Sequence, residues 1–264
     1  MKLADIRPTF RILGNSIWLQ LKDNVVSSQI VGTLILQPVI FTLISVGTYE
    51  YGHRPDLSLF AIIGVGLISI WNTNLFISGD ILREERRRGT LSLVMASPTP
   101  LLVVLLGKSL ANAITSIIAM GLTFMTGMLA FQIPIRIANP LAFLIGLVLM
   151  IISITCLGLV FGTLFILTRS AGELMSVANY PVFILSGLSI PLTLLPLWTH
   201  PFSQLLSPTW GNLVLNAAVS GTEGSMLPNY LVILGLSVLY LIIAHFLYQH
   251  VEYRALQTGT LEQW

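Results

Sequence analysis

Charge is what this sequence has least of. Of 264 residues, 9% are Asp, Glu, Lys or Arg and 55% are hydrophobic. A soluble domain carries about a quarter charged residues. The chain lacks the charge to coat a water-facing surface, which excludes an ordinary soluble globule. Cysteine is nearly absent too. Cys156 is the one thiol and lies in an apolar run, so an intrachain disulfide is excluded and the redox compartment stays open. Ionisable groups are missing from the middle of the long apolar runs, Lys108 excepted, and no HExxH or GxSxG pattern occurs. That argues against an intramembrane hydrolase and against a carrier driven by protons or ions. No catalytic residue and no metal site are expected. If the protein moves something uphill, the energy must enter from outside the membrane.

What is there is a series of uncharged runs of membrane length. The expected fold is all-α: one polytopic transmembrane domain over residues 1–264, with six spans. Residues 1–23 precede them. Leu3, Ile6, Phe10, Leu13, Ile17 and Leu21 recur at spacings of three and four, with Lys2, Asp5, Arg7, Arg11, Asn15, Gln20 and Lys22 on the other faces. This predicts an amphipathic helix with Pro8 in its first turn, lying in the membrane interface. Charges throughout Met1–Asp23, with no apolar core, argue against a cleaved signal peptide.

The spans are placed at about 25–46, 58–78, 101–131, 141–168, from Met175 onward, and 229–248. Pro38 is expected to kink the first. The fourth, at about 1.5 Å per residue, reaches about 42 Å, beyond a roughly 30 Å apolar core, and must tilt or project. Short polar connections fall at 47–57, 132–139 and 169–174. Residues 191–228 differ. Pro191, Pro196, Pro201, Pro208 and Pro228 cut an apolar segment bearing Trp198, Trp210 and His200 into pieces too short to cross. Short re-entrant or interfacial helices are expected there, outside the cytoplasm, packed on protein. Lys2, Arg7, Arg11, Lys22, Arg83, Arg86, Arg87, Arg88, Arg169 and Arg254 fall on one side of this scheme, and Arg54 and Arg136 on the other. The basic side is cytoplasmic, so both termini are placed there, in a cell membrane.

Within the spans, Lys108 reads as a snorkelling lysine. Asn72, Asn74, Asn112, Asn179 and Tyr180 either bond between helices or line a translocation path. Gly158 and Gly162 permit a close helix approach. Leu106-Gly107-Lys108-Ser109 is not the end of a phosphate-binding loop, because Leu102 stands where that motif needs glycine.

The charged island Gly79–Pro100 (GDILREERRRGTLSLVMASPTP) lies between the second and third spans. Gly89 permits a sharp break and Thr90 can cap a short helix. Leu91, Val94 and Met95 then share an apolar face that ends at Pro98 and Pro100. An apolar face on a cytoplasmic loop calls for a partner. The arginines also hold the loop inside and attract anionic lipid.

Glu84-Glu85-Arg86-Arg87-Arg88-Gly89-Thr90-Leu91, then Ser97-Pro98, then Gly107-Lys108, resembles the signature loop of type-2 ABC-transporter permeases. Leu185-Ser186-Gly187-Leu188-Ser189-Ile190-Pro191, Leu195-Pro196 and Ser207-Pro208-Thr209 resemble that family's second block. Ser92 stands where the family often has glutamate. The resemblance implies the membrane subunit of an exporter for a drug-like, lipid-linked or glycan cargo. It implies a dimer of permease subunits, identical or related, with separate cytoplasmic ABC ATPases that bind ATP and Mg; this chain binds no cofactor. It makes 79–100 a coupling helix, with Glu84, Glu85, Arg87, Gly89, Thr90, Leu91, Val94, Met95 and Pro98 facing the ATPase. Membrane lipids are the other expected partner, and nucleic acid is not. The alternative is a passive channel or membrane scaffold without ATP coupling; a membrane enzyme is a third reading.

Overall fold

In hydrocarbon a chain must satisfy its backbone N–H and C=O groups within itself, so an apolar run of membrane length folds as a helix. The computed structural model describes residues 6–26, 32–78, 89, 101–166, 171–221 and 226–258. Among these the regular elements are all helical. They are α1 (Ile6–Val26), α2 (Gln37–Tyr51), α3 (Ser58–Asn72), α4 (Leu101–Phe131), α5 (Pro140–Ile166), α6 (Ala171–Leu185), α7 (His200–Gln204), α8 (Ser207–Ser220) and α9 (Leu227–Thr258).

The central helix is α3, buried at every position from Ala61 to its end at Asn72, and the burial continues to Leu75 in the π-helical stretch Thr73–Ser78. Around it pack α2, α4, α5 and α8. The core joins Trp71, Leu67 and Ile70 of α3 to Met150 and Ile154 of α5 and to Val214 and Leu215 of α8. Outward-facing positions stay apolar, as in Ile117, Ile118, Met125 and Leu129 of α4 or Leu231, Val238 and Phe246 of α9. Lipid is no worse a neighbour for them than protein.

The bundle has two distinct ends. At one, Asn139 donates its N–H to the Ala218 carbonyl at 2.9 Å, Tyr49 its hydroxyl to the Ser189 carbonyl at 3.0 Å, and Gly47 faces Phe131. The connections 52–57, 132–139 and the turn after Ser220 therefore gather there. At the other end Leu105, Leu159, Ala244 and Tyr248 form a separate cluster.

Among the described residues, five helices are long and apolar enough to cross a membrane: Leu34–Tyr51, Pro55–Phe76, Val103–Phe131, Pro140–Leu164 and Leu227–His250. The expected span beginning near Met175 is instead the shorter apolar helix Glu173–Leu185. It stops because Gly187 turns the chain at φ +69° and the next carbonyl packs on α3. Val25 and Val26, expected in the first span, belong to α1; residues 27–31 lie outside the described residues, and a π-helical turn, Gly32–Leu36, runs into α2. Pro38 lies directly after the π-helical turn, whose Leu36 is already helical at φ −69° and ψ −46°, so the regular α-helical ladder is interrupted beside the proline that the sequence marks for a kink. Gly47–Tyr51, expected as loop, is the last part of α2. Ala171–Leu174, expected as a polar turn, opens α6. The last helix runs on past Tyr248 to Thr258.

Residues 191–228 are broken as their prolines predict. Leu192–Leu194 and Leu197–Thr199 are 3₁₀ turns, α7 has 5 residues and α8 has 14. The start of α8 is buried. The Ser207 N–H donates to the Tyr240 hydroxyl at 3.1 Å, and that hydroxyl donates to the Leu205 carbonyl at 2.5 Å. Tyr240 stands well inside α9, about 20 Å from its first residue at about 1.5 Å per residue.

Candidate functional site

The island between α3 and α4 lies outside the described residues, Gly89 excepted. Glu84, Glu85, Arg87, Thr90, Leu91, Val94, Met95 and Pro98 are therefore not placed. Gly89 itself has φ +70°, a backbone conformation that glycine adopts without strain.

What can be built is the frame from which the island leaves. On one side, α3 ends in the π-helical stretch Thr73–Ser78. Asn74 of that stretch packs on Gly158 of α5, where an added Cβ would sit 3.5 Å from the Asn74 Cβ. Its amide also donates to the Ile70 carbonyl at 3.3 Å. On the other side, α4 carries α1 along its first half. At Gly107 a Cβ would stand 2.7 Å from the Ser16 Cβ and 3.0 Å from the Leu13 carbonyl oxygen. Glycine there lets two backbones meet, which gives the Gly107-Lys108 pair a physical reason. Deeper, Gln20 donates to the Asn24 Oδ1 at 2.9 Å. The Asn24 amide donates in turn to the Asn112 Oδ1 at 2.9 Å and to the Thr115 hydroxyl at 3.1 Å.

This buried polar ladder reverses one expectation. Gln20 was assigned to the solvated side of the first helix. Ser16, Gln20 and Asn24 are instead its buried stripe, while Trp18, Leu19 and Val25 are exposed. A helix in an apolar medium turns its polar groups towards protein. The spacing of four through these residues was the available signal, and apolar periodicity alone masks it.

The five candidate path residues do not face one cavity in this single chain. Asn72, Asn74, Asn112 and Asn179 are buried in helix contacts, whereas Tyr180 is exposed. Asn112 belongs to the α1–α4 ladder. The Asn179 Oδ1 accepts a 2.8 Å bond from the Trp71 indole N–H, which ties α6 to α3. The Trp71 ring meets Phe161 edge-on at 5.6 Å. Asn72 is buried beside these groups in sequence, with its Oδ1 unpartnered.

The second sequence block is a close backbone contact. A Cβ on Gly64 would fall 2.0 Å from the Leu188 carbonyl oxygen. Asn212 of α8 donates to the Gly187 carbonyl at 2.8 Å. The turn after α6 is thus held between α3 and α8. Gly64, Trp71 and Asn212, which no motif pointed to, do the holding.

The chemistry this arrangement supports is mechanical. Helices locked by amides and close glycines flank residues 79–100 on both sides. No curated protein matches the chain. The profile of the ABC-2 type transporter family matches residues 9–217, which spans α1 to α8 and both sequence blocks. The chain belongs to the ABC-2 type transporter family, whose members are membrane components of ABC transporters.

Proposed function

We propose that the chain is the permease subunit of an ABC exporter, driven by ATP and Mg bound in a separate cytoplasmic ATPase. The observation that carries this is the family match across residues 9–217, with the island lying inside it. In this reading 79–100 is the coupling helix docked on the ATPase, and both termini are cytoplasmic. The 191–228 segment is then an outer re-entrant element, a reading supported by the burial of the α8 start against Tyr240.

A dimer follows from the same reading and has geometric support. One face of α6 is buried through Met175, Asn179 and Val182. Its other face exposes Val177 at 67% and Tyr180 at 66%. A second permease copy would cover that face, and Tyr180 would then border a path between the subunits. Apolar and amphiphilic cargo, whether drug-like, lipid-linked or glycan, suits such a lining.

The test is reconstitution with a cognate ABC ATPase subunit. ATP-dependent movement of cargo out of the cytoplasmic compartment, lost when the ATPase lacks its phosphate-binding lysine, supports the reading. Cargo or ion flux that persists without the ATPase would instead make the chain a passive channel.

A further inference from the structure

We propose that the junction of α1, α2 and α4 is a binding groove for one acyl chain of an anionic phospholipid in the leaflet that α1 faces. A cavity of about 580 Å³ opens there, lined by Leu21, Asn24 and Val25 of α1, Leu34 and Ile35 before α2, and Ile114, Thr115, Ile117 and Ile118 of α4. The size is that of a small-molecule site, commonly 300–1,000 Å³. Its walls are aliphatic. The polar groups in it, the Asn24 amide and Thr115 hydroxyl, are bonded to each other. The groove therefore recognises hydrocarbon and offers little to a polar ligand.

Its rim tells what covers it. Val25 is 85% exposed and Ile118 60%, so the groove is continuous with the outward apolar surface of α4. Lys22 follows the lining residue Leu21 on α1 and is exposed, and its ammonium lies 5.0 Å from the Trp18 ring centroid. A tryptophan under a lysine is the pairing found where hydrocarbon meets headgroups. Lys22 offers a positive charge to a phosphate, and Ile114–Ile118 begin about two turns beyond Lys108, at acyl-chain depth. The site requires a bilayer around the chain but no transport activity, so it stands apart from the exporter reading.

The full chain is reconstituted in phosphatidylcholine bilayers with chain-spin-labelled phosphatidylglycerol or, in parallel, spin-labelled phosphatidylcholine. The motionally restricted fraction is read for each label. The wild-type chain should restrict phosphatidylglycerol more. Lys22→Gln, a surface change, should lower that preference by up to about fivefold, the effect of one basic residue at an anionic surface. Ile117→Trp fills the groove and should shrink the restricted fraction for both labels. Restricted fractions unchanged in both variants would overturn the proposal. So would equal restriction of the two lipids by the wild-type chain. Cysteines at Ile118 that cross-link two copies in the bilayer would show the groove covered by protein and overturn it as well.

Discussion

Asn24, in the last turn of α1, and Asn112 of α4 stand 88 residues apart in sequence and share a buried 2.9 Å hydrogen bond. Through it a helix that looks like a surface float is fastened to a core span. That bond ties α1 to the first half of α4, the helix that follows the island in sequence.

The fastening can be measured. Asn24→Leu should destabilise the protein by about 1–2 kcal/mol, since it strips a partner from buried groups on α4. A double-mutant cycle with Asn112→Leu, read from thermal unfolding in detergent, should return a coupling of about 0.6–1.7 kcal/mol, the range seen between membrane helices. Strict additivity would mean that the two amides act independently.

The close backbone contacts make a second prediction. Gly64→Ala drives a methyl group into the Leu188 carbonyl, which sits 2.0 Å from the new Cβ. Displacing backbone costs about 1–3 kcal/mol. Gly121, in the same bundle, has nothing within 4 Å of that position. There, alanine should stabilise α4 by about 0.5–1 kcal/mol through its better helix propensity. Melting temperatures of the two variants should move in opposite directions, and equal shifts would refute the Gly64–Leu188 contact.

The island makes the third. Aspartate at Leu91 or Val94 puts a charge into the expected docking face, unfavourable by several kcal/mol if it is buried unpaired. Abundance in the membrane should survive, because neither change touches a span. Cargo transport should collapse, with the ATPase lost from the complex or uncoupled. Arg87→Gln should do much less, as the neighbouring arginines keep the loop inside. Normal transport and ATPase capture by both aspartate variants would leave the loop only a topological anchor.

Sidedness is the fourth. Cys156 is buried, so its replacement by alanine provides a background for single cysteines. Introduced at Glu50 or Glu223, cysteine should react with an impermeant thiol reagent in intact cells. A cysteine at Arg87 should react only after lysis. The reverse pattern would invert the whole arrangement.

Much of this protein follows from summing residues along the chain. Hydropathy over membrane-length windows found the runs that became α2 to α5 and α9, and the prolines after Pro191 broke the chain where the short helices lie. The positive φ of Gly89 needed only the steric freedom of a residue without Cβ. What the sequence alone could not decide is which face of a helix meets which neighbour. Gln20 looks like the wet side of α1 because solvation is the default for an amide. Gln20 and Asn24 are buried because Gln20 bonds Asn24, which meets Asn112 and Thr115 of α4, and a spacing of four along one helix does not say which neighbour it will meet. The end of α6 was hidden for the same reason. A run that is apolar enough to continue stops at Leu185 because Gly64, more than a hundred residues earlier, leaves room for the Leu188 carbonyl.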